Sequence, residues 1–212
     1  MCNLYRLKVN RAEYVDYFSA QDDWRREQED EQGEIDKIYP GYEAPIVRNH
    51  DGARQIIGGT WGFPTREPRK RPPKEGQSPF VIRRWTNARN LKSNMWRPWL
   101  AEPVHRCLVP FATFAEPKSA ADKAAGGDPN WWFSVADQSI PCFAGLWKMD
   151  AELGLVFSFL TTDPNPLVAP KHPKAMPVIL QREDHDRWLT GTIDEALALQ
   201  APYPSQLMAL AD

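Results

Sequence analysis

Residues 105–117 read HRCLVPFATFAEP. The apolar run is too short for a helix of ordinary length, is rich in β-branched and aromatic side chains, and stops at a Glu-Pro pair, so it reads as a buried strand carrying one carboxylate at its end. Similar runs lie on both sides of it: CNLYRLKV, APIVRN, QIIGGTWGF, WWFSVA, IPCFAGLW, LVFSFLTT and MPVIL. Each has strand length and is bounded by Gly, Pro or Asp. Helical spacing and cap-like starts are confined to 10–32, 90–100 and 181–199, where NRAEYVDYF and TIDEALAL stand. The pattern predicts an α+β chain, mainly antiparallel, with a barrel-like mixed sheet and a few peripheral helices in one domain over 1–212.

The 212 residues are 42% hydrophobic and 25% charged, which suits one large core and excludes disorder. Nine tryptophans and 20 prolines point to a loop-rich fold with aromatic surfaces rather than a helix bundle. No run approaches the ~20 apolar residues of a membrane span, and the polar start lacks a signal-peptide core, so a cytoplasmic chain without membrane partners is expected. Of three cysteines, Cys107 and Cys142 sit in strand-like runs as buried thiols, which leaves Cys2. No CxxC or HxxxH spacing suggests a metal, no motif calls for a cofactor, and a monomer is expected.

Net charge is only −2, yet its distribution is uneven. Residues 61–100 carry +8, whereas 21–36 carry −6. The basic tract includes Arg84, Arg89 and Arg97 and is interleaved with Trp61, Phe63, Trp85 and Trp96. Cations that track phosphates beside rings that stack on unpaired bases are what a single-stranded nucleic-acid groove requires. The alternative is a solvated Pro-rich loop, REPRKRPPKEGQSP, with no specific ligand.

The chain opens MCN. Initiator methionine is normally removed before a small residue, and a terminal Cys2 would present an amine (pKa ~7.7 to 8) beside a thiol (~8.5), both partly nucleophilic at neutral pH. Otherwise Cys2 is a small apolar residue at a strand start. In TNARN, Asn87 and Arg89 fall on one side of an extended segment and are able to face one ligand, unless Asn87 merely caps a turn. Glu116 ends its strand where burial would raise its pKa and suit it to proton transfer, the alternative being an ordinary strand-end acid. His172, held between prolines in PKHPKAMPVIL, is either structural or aimed by a rigid loop. The glycines of GTWGF allow either a backbone approach to a ligand or a bulge.

The succession of MCN, IYPGYEAPIV, WGF, NAR, RCLVPFATFAEP, GLW, TT and HPKAMPVIL resembles the SOS-response-associated peptidase family, the abasic-site processing or shield proteins, from Cys2 to about Trp188. The resemblance implies that Cys2 is the catalytic group, supported by Asn87, Glu116 and His172, and that Arg89 faces phosphate. It further implies that the Cys2 amine condenses with the open-chain aldehyde of an abasic site in single-stranded DNA, and that the thiol closes a thiazolidine after Met1 is removed. Asn3 and Leu4 replace the family's usual Gly-Arg, which transfers any contact of that arginine to Arg6 or elsewhere. Pro117 follows Glu116 where an aromatic is usual, and His172 and Met176 are separated by three residues where two are expected. Two rivals remain: a glutamine amidotransferase, which also starts Met-Cys, and a non-catalytic single-strand-binding module.

Overall fold

The computed structural model describes residues 2–8, 11–24 and 35–211. Five strands form a closed barrel: β4 (Glu43–His50), β5 (Ala53–Trp61), β9 (Arg106–Pro110), β12 (Cys142–Asp150) and β13 (Gly154–Thr162). Strand β4 pairs antiparallel with β5 and β9, β9 with β12, and β12 with β13. The ring closes through a parallel pairing of β13 with β5, Val156 opposite Thr60 and Phe157 opposite Trp61. Closure removes the barrel's exposed edges, as the expectation of a barrel-like mixed sheet required. Short strands extend it: β2 (Ala20–Asp22) beside β5, β8 (Asn87–Ala88) and β14 (Met176–Pro177) beside β13, and β15 (Ile179–Leu180) beside β12.

A second sheet has the order β16 (Met208–Ala211), β11 (Asn130–Val135), β10 (Thr113–Pro117), β1 (Tyr5–Lys8) and β3 (Ile35–Ile38). A column of rings joins it to the barrel. Phe111 stacks on Phe143 at 3.9 Å, Phe143 meets Phe159 at 4.5 Å, Phe159 meets Trp61 at 5.1 Å, and Tyr5 packs edge-on to Trp61 at 5.2 Å. Such ring pairs add specific geometry to the large area they bury.

HRCLVPFATF, expected as one strand, divides between the two sheets. Its first half is β9 in the barrel and its second half is β10, with the crossing at Phe111 and Ala112. Their N–H groups bond Pro141 O at 3.0 Å and Arg6 O at 2.8 Å instead of continuing the barrel ladder. The crossing carries Glu116 out of the barrel wall and sets it beside the N-terminal strand.

The helices are shorter than their periodicity suggested. Helix α1 covers Arg11–Phe18 rather than 10–32: Ser19 takes a left-handed conformation (φ 49°), and Ala20 onward pairs parallel with β5. Residues 9–10 and 25–34 lie outside the described residues. In place of a helix over 90–100, only α2 (Arg97–Ala101) forms, with Pro98 in its first turn. The ranges α3 (Ala120–Ala124), α4 (His185–Thr190) and α5 (Ile193–Ala198) complete the set. The expected helix 181–199 breaks between α4 and α5, where Thr192 and Glu195 form a reciprocal capping box. No described helix is long and apolar enough to cross a membrane.

The basic tract forms a hairpin arm. Strand β6 (Phe63–Pro68) pairs with β7 (Phe80–Trp85), register Phe63 opposite Trp85 to Pro68 opposite Phe80, and the Pro-rich segment 69–79 makes its tip.

Candidate functional site

The site is assembled around the strand that follows Cys2. Strand β1 runs antiparallel to β10, Tyr5 opposite Phe114 and Arg6 opposite Thr113, and Ala115 N–H continues the pairing to Leu4 O at 2.9 Å. Residues 2–4 therefore lie alongside 115–117. Cys2 is fully buried, and its thiol donates to Leu4 O at 3.4 Å. Burial, and after it the negative charge of Glu116, hold the thiol far above its ordinary pKa, so the resting sulfur keeps its proton.

On the other side, Asn87 sits on β8, placed by parallel pairing with β13. Its amide donates to Cys2 O at 2.9 Å and to Thr86 Oγ1 at 2.7 Å. The Thr86 hydroxyl then donates to Asn3 Oδ1 at 3.2 Å, and Thr86 O accepts from the Trp61 indole at 3.1 Å. Both amide hydrogens of Asn87 are thus engaged, whereas its Oδ1 is buried and has no partner among the described residues. That oxygen is an acceptor available to a hydroxyl of a bound molecule.

Glu116 is fully buried on β10, and burial pushes it up to about 7. His172 Nε2 lies 3.5 Å from its Oε2. The Nδ1 of His172 is 2.8 Å from Ala175 O, a contact that requires N–H at Nδ1. Burial lowers the imidazole pKa, so the ring is neutral near pH 7 with Nε2 as an acceptor. The neutral imidazole acceptor thus faces the Glu116 carboxyl group at 3.5 Å, a separation longer than a hydrogen bond that has to shorten before a proton passes between them. The three-residue spacer before Met176 thus turns the ring so that one nitrogen is anchored to backbone and the other meets Glu116.

Cys2, Asn87, Glu116 and His172, distant in sequence, are therefore brought together. The nucleic-acid residues fare differently. Trp61 is a correction: it is completely buried, stacks on Phe159 and donates to Thr86 O, so it supports the Thr86-Asn87 segment from behind and presents no ring to a base. Phe63 and Trp96 are buried as well. Alternating a ring with charge does not itself expose the ring, because closing the barrel needs large apolar side chains. Arg84 folds across Gly41 (φ +88°) and Gly62 (φ +116°); a Cβ on Gly62 would come within 2.7 Å of its side chain, which is the role of that glycine in GTWGF. Its Nη1 is buried without a partner among the described residues. Arg89 is exposed and paired with Asp163, and Arg97 is exposed at the start of α2. The guanidinium of Arg6 lies over the Trp132 ring, 3.9 Å from its centroid.

Sequence reading missed Thr86, the hydroxyl that couples Asn87 to Asn3, because a threonine before an asparagine carries no signal until Asn3 is placed opposite it. It also missed the exposed pair Tyr39 and Tyr42, whose rings meet at 5.5 Å on the turn packed against Trp61. YPG marks that turn but not its exposure. No group of three or more metal-ligating side chains occurs among the described residues.

A closed mixed barrel joined to a second sheet and a few short helices defines an α+β protein class. The chain belongs to the SOS response associated peptidase (SRAP) family, whose model matches residues 1–211. The structure is similar to a protein from Bacteroides thetaiotaomicron (TM-score 0.72, 21% identity, covering 99% of this chain and 90% of that one). It is also similar to a protein from Bordetella bronchiseptica (TM-score 0.70, 22% identity, 99% and 98% covered). A phage-related protein from the same organism gives TM-score 0.66 at 20% identity, with 99% and 93% covered. These likenesses establish the fold. No curated protein matches the chain.

Proposed function

We propose that the protein captures abasic sites in single-stranded DNA as a covalent adduct at Cys2, after hydrolysis of the Met1-Cys2 bond frees the α-amine. The observation that carries this reading is the convergence on Cys2 of the Asn87 amide, which holds its carbonyl, and the Glu116-His172 pair on the strand alongside it. The protonated, buried thiol is a poor first nucleophile, so the amine acts first. It adds to the sugar aldehyde, and the resulting carbinolamine loses water to give an imine. The thiol then adds across the C=N bond, sulfur to carbon and its proton to nitrogen, closing the five-membered ring. Net, one water leaves.

Glu116, poised near neutral pH, suits both proton steps: as carboxylate it takes a proton from the amine, and as acid it delivers one to the departing hydroxyl. That exchange returns Glu116 to its carboxylate form with neutral His172 beside it, and Asn87 Oδ1 accepts a hydroxyl of the opened sugar. The same buried thiol argues against the amidotransferase rival, which needs a ready sulfur nucleophile.

The test is the intact mass of protein mixed with an abasic oligonucleotide. The expected product is the Met1-free chain plus DNA minus one water. Ammonia release from glutamine without such an adduct favours the amidotransferase, and salt-sensitive binding without either product favours a binding module. Either outcome overturns the proposal.

A further inference from the structure

Period-two alternation sends the two tryptophans of NWWFSV to opposite sides of β11. Trp132 is buried against Arg6. Trp131 stands directly opposite Glu116 in the β10–β11 register and is half-buried. Two ammonium groups converge on its ring: Lys171 Nζ lies 3.9 Å and Lys118 Nζ 4.5 Å from the centroid. Lys118 is two residues beyond Glu116, and Lys171 directly precedes His172. The cluster therefore borders the Glu116-His172 pair through three separate chain connections.

Its charge is uncompensated. Neither lysine has a carboxylate partner among the described residues, and both are half-buried, so the ring's π-face is the compensation available to two mutually repelling cations. The indole Nε1 of Trp131 is also buried without an acceptor among the described residues. Two cations and an unmet donor beside a reaction centre match an anion brought in by the ligand.

We propose that Lys118, Trp131 and Lys171 form a binding site for one backbone phosphodiester next to the reacting sugar. This rests on the single-stranded DNA reading above. It sets the position of the sugar over Cys2 by holding its neighbouring phosphate, while the ring limits how far the ammonium groups stray.

The experiment uses the full chain and single-stranded oligonucleotides carrying a non-reactive abasic analogue, with one uncharged methylphosphonate placed in turn at each linkage near the lesion. Binding is read by fluorescence anisotropy for the wild type and for Lys118→Met/Lys171→Met, whose folding is checked by thermal melting. The wild type is expected to lose affinity by about fivefold or more at one linkage. The double variant binds more weakly, ignores the methylphosphonate at that linkage, and keeps its sensitivity elsewhere. Its log-log salt slope falls by about 0.7, the equivalent of one neutralised single-strand phosphate. Lys118→Arg/Lys171→Arg restores the sensitivity.

Equal sensitivity of wild type and double variant at every linkage overturns the site, and so does an effect seen only with terminal phosphates. A wild type that binds and crosslinks DNA but behaves this way loses the phosphate site alone. A wild type that binds no single strand loses the DNA reading with it.

Discussion

The cluster around Cys2 and the β6–β7 arm carry the two halves of the proposed function, and they are built in opposite ways. In the cluster, residues 2, 87, 116 and 172 come from remote parts of the chain and are tied by specific contacts, with Asn87 held at 2.9 Å from Cys2 O and at 2.7 Å from Thr86. The arm is contiguous in sequence and exposed. In its middle Arg66 is fixed by Asp150 at 2.8 Å and Glu152 at 3.1 Å, and Arg83 pairs with Glu67 at 3.5 Å. Toward its tip Arg69, Lys70, Arg71 and Lys74 border an open concavity of about 490 Å³. Buried, directional contacts place individual atoms, whereas exposed charge acts through a screened field that tolerates rearrangement. Changes in the Cys2 cluster should therefore alter chemical steps, and changes in the arm should alter salt-dependent association.

The sharpest break comes from Cys2→Ser. The amine survives and still forms an imine trapped by borohydride, but no sulfur closes the ring, so the stable adduct is expected to vanish. A heat-stable adduct without reductant would remove the chemical role of the Cys2 sulfur. Glu116→Gln keeps the shape and some of the hydrogen bonding and removes the titrating proton. Single-turnover crosslinking with this variant is expected to slow by the ~100- to 10,000-fold that general acid-base catalysis supplies. An unchanged rate would leave Glu116 a packing residue.

The same variant tests burial through stability. Glu116 ordinarily titrates at 4.5 and in the folded protein at about 7. Between these values the unfolded chain has released the proton and the native state has kept it, so wild-type stability falls as pH rises through that window and levels off above it. Glu116→Gln escapes this loss and should gain on the wild type by roughly 3 kcal/mol from pH 4.5 to pH 7.5. Denaturant melts at the two pH values measure the difference, and parallel curves would show that Glu116 is not desolvated.

Neutralising Arg69, Lys70, Arg71 and Lys74 together should have the smallest effect, a loss of about tenfold in affinity for single strands with a salt slope shallower by up to ~2.8. The crosslinking rate at saturating DNA and the melting temperature should not move. A rate that changes with the arm would erase the division between the two regions.

The expectations that depended on local pattern stand where local forces decide. All eight strand-like runs contribute strands at or near the quoted residues, since period-two burial and β-branched side chains act over a few neighbours. The capping box at Thr192 was visible as TIDEALAL, although its consequence, a break inside 181–199, was not. Helix 10–32 and the single strand HRCLVPFATF failed for a common reason: in each, a partner strand claims backbone groups that the pattern alone leaves unassigned. Trp61 failed because its surroundings, not its neighbours in sequence, determine exposure.

The sequence by itself determined the residue types that chemistry at an N-terminal cysteine needs, and their order along the chain pointed to the SRAP family. Only the tertiary structure decided where each stands and what it touches. Barrel closure buried Trp61 behind Thr86, the crossing at Phe111 and Ala112 delivered Glu116 to the N-terminal strand, and the Ala175 carbonyl turned His172 toward it. A hydrogen-bonding role or a displaced pKa is a property of the surroundings a side chain meets after folding, and those surroundings come from residues scores of positions away.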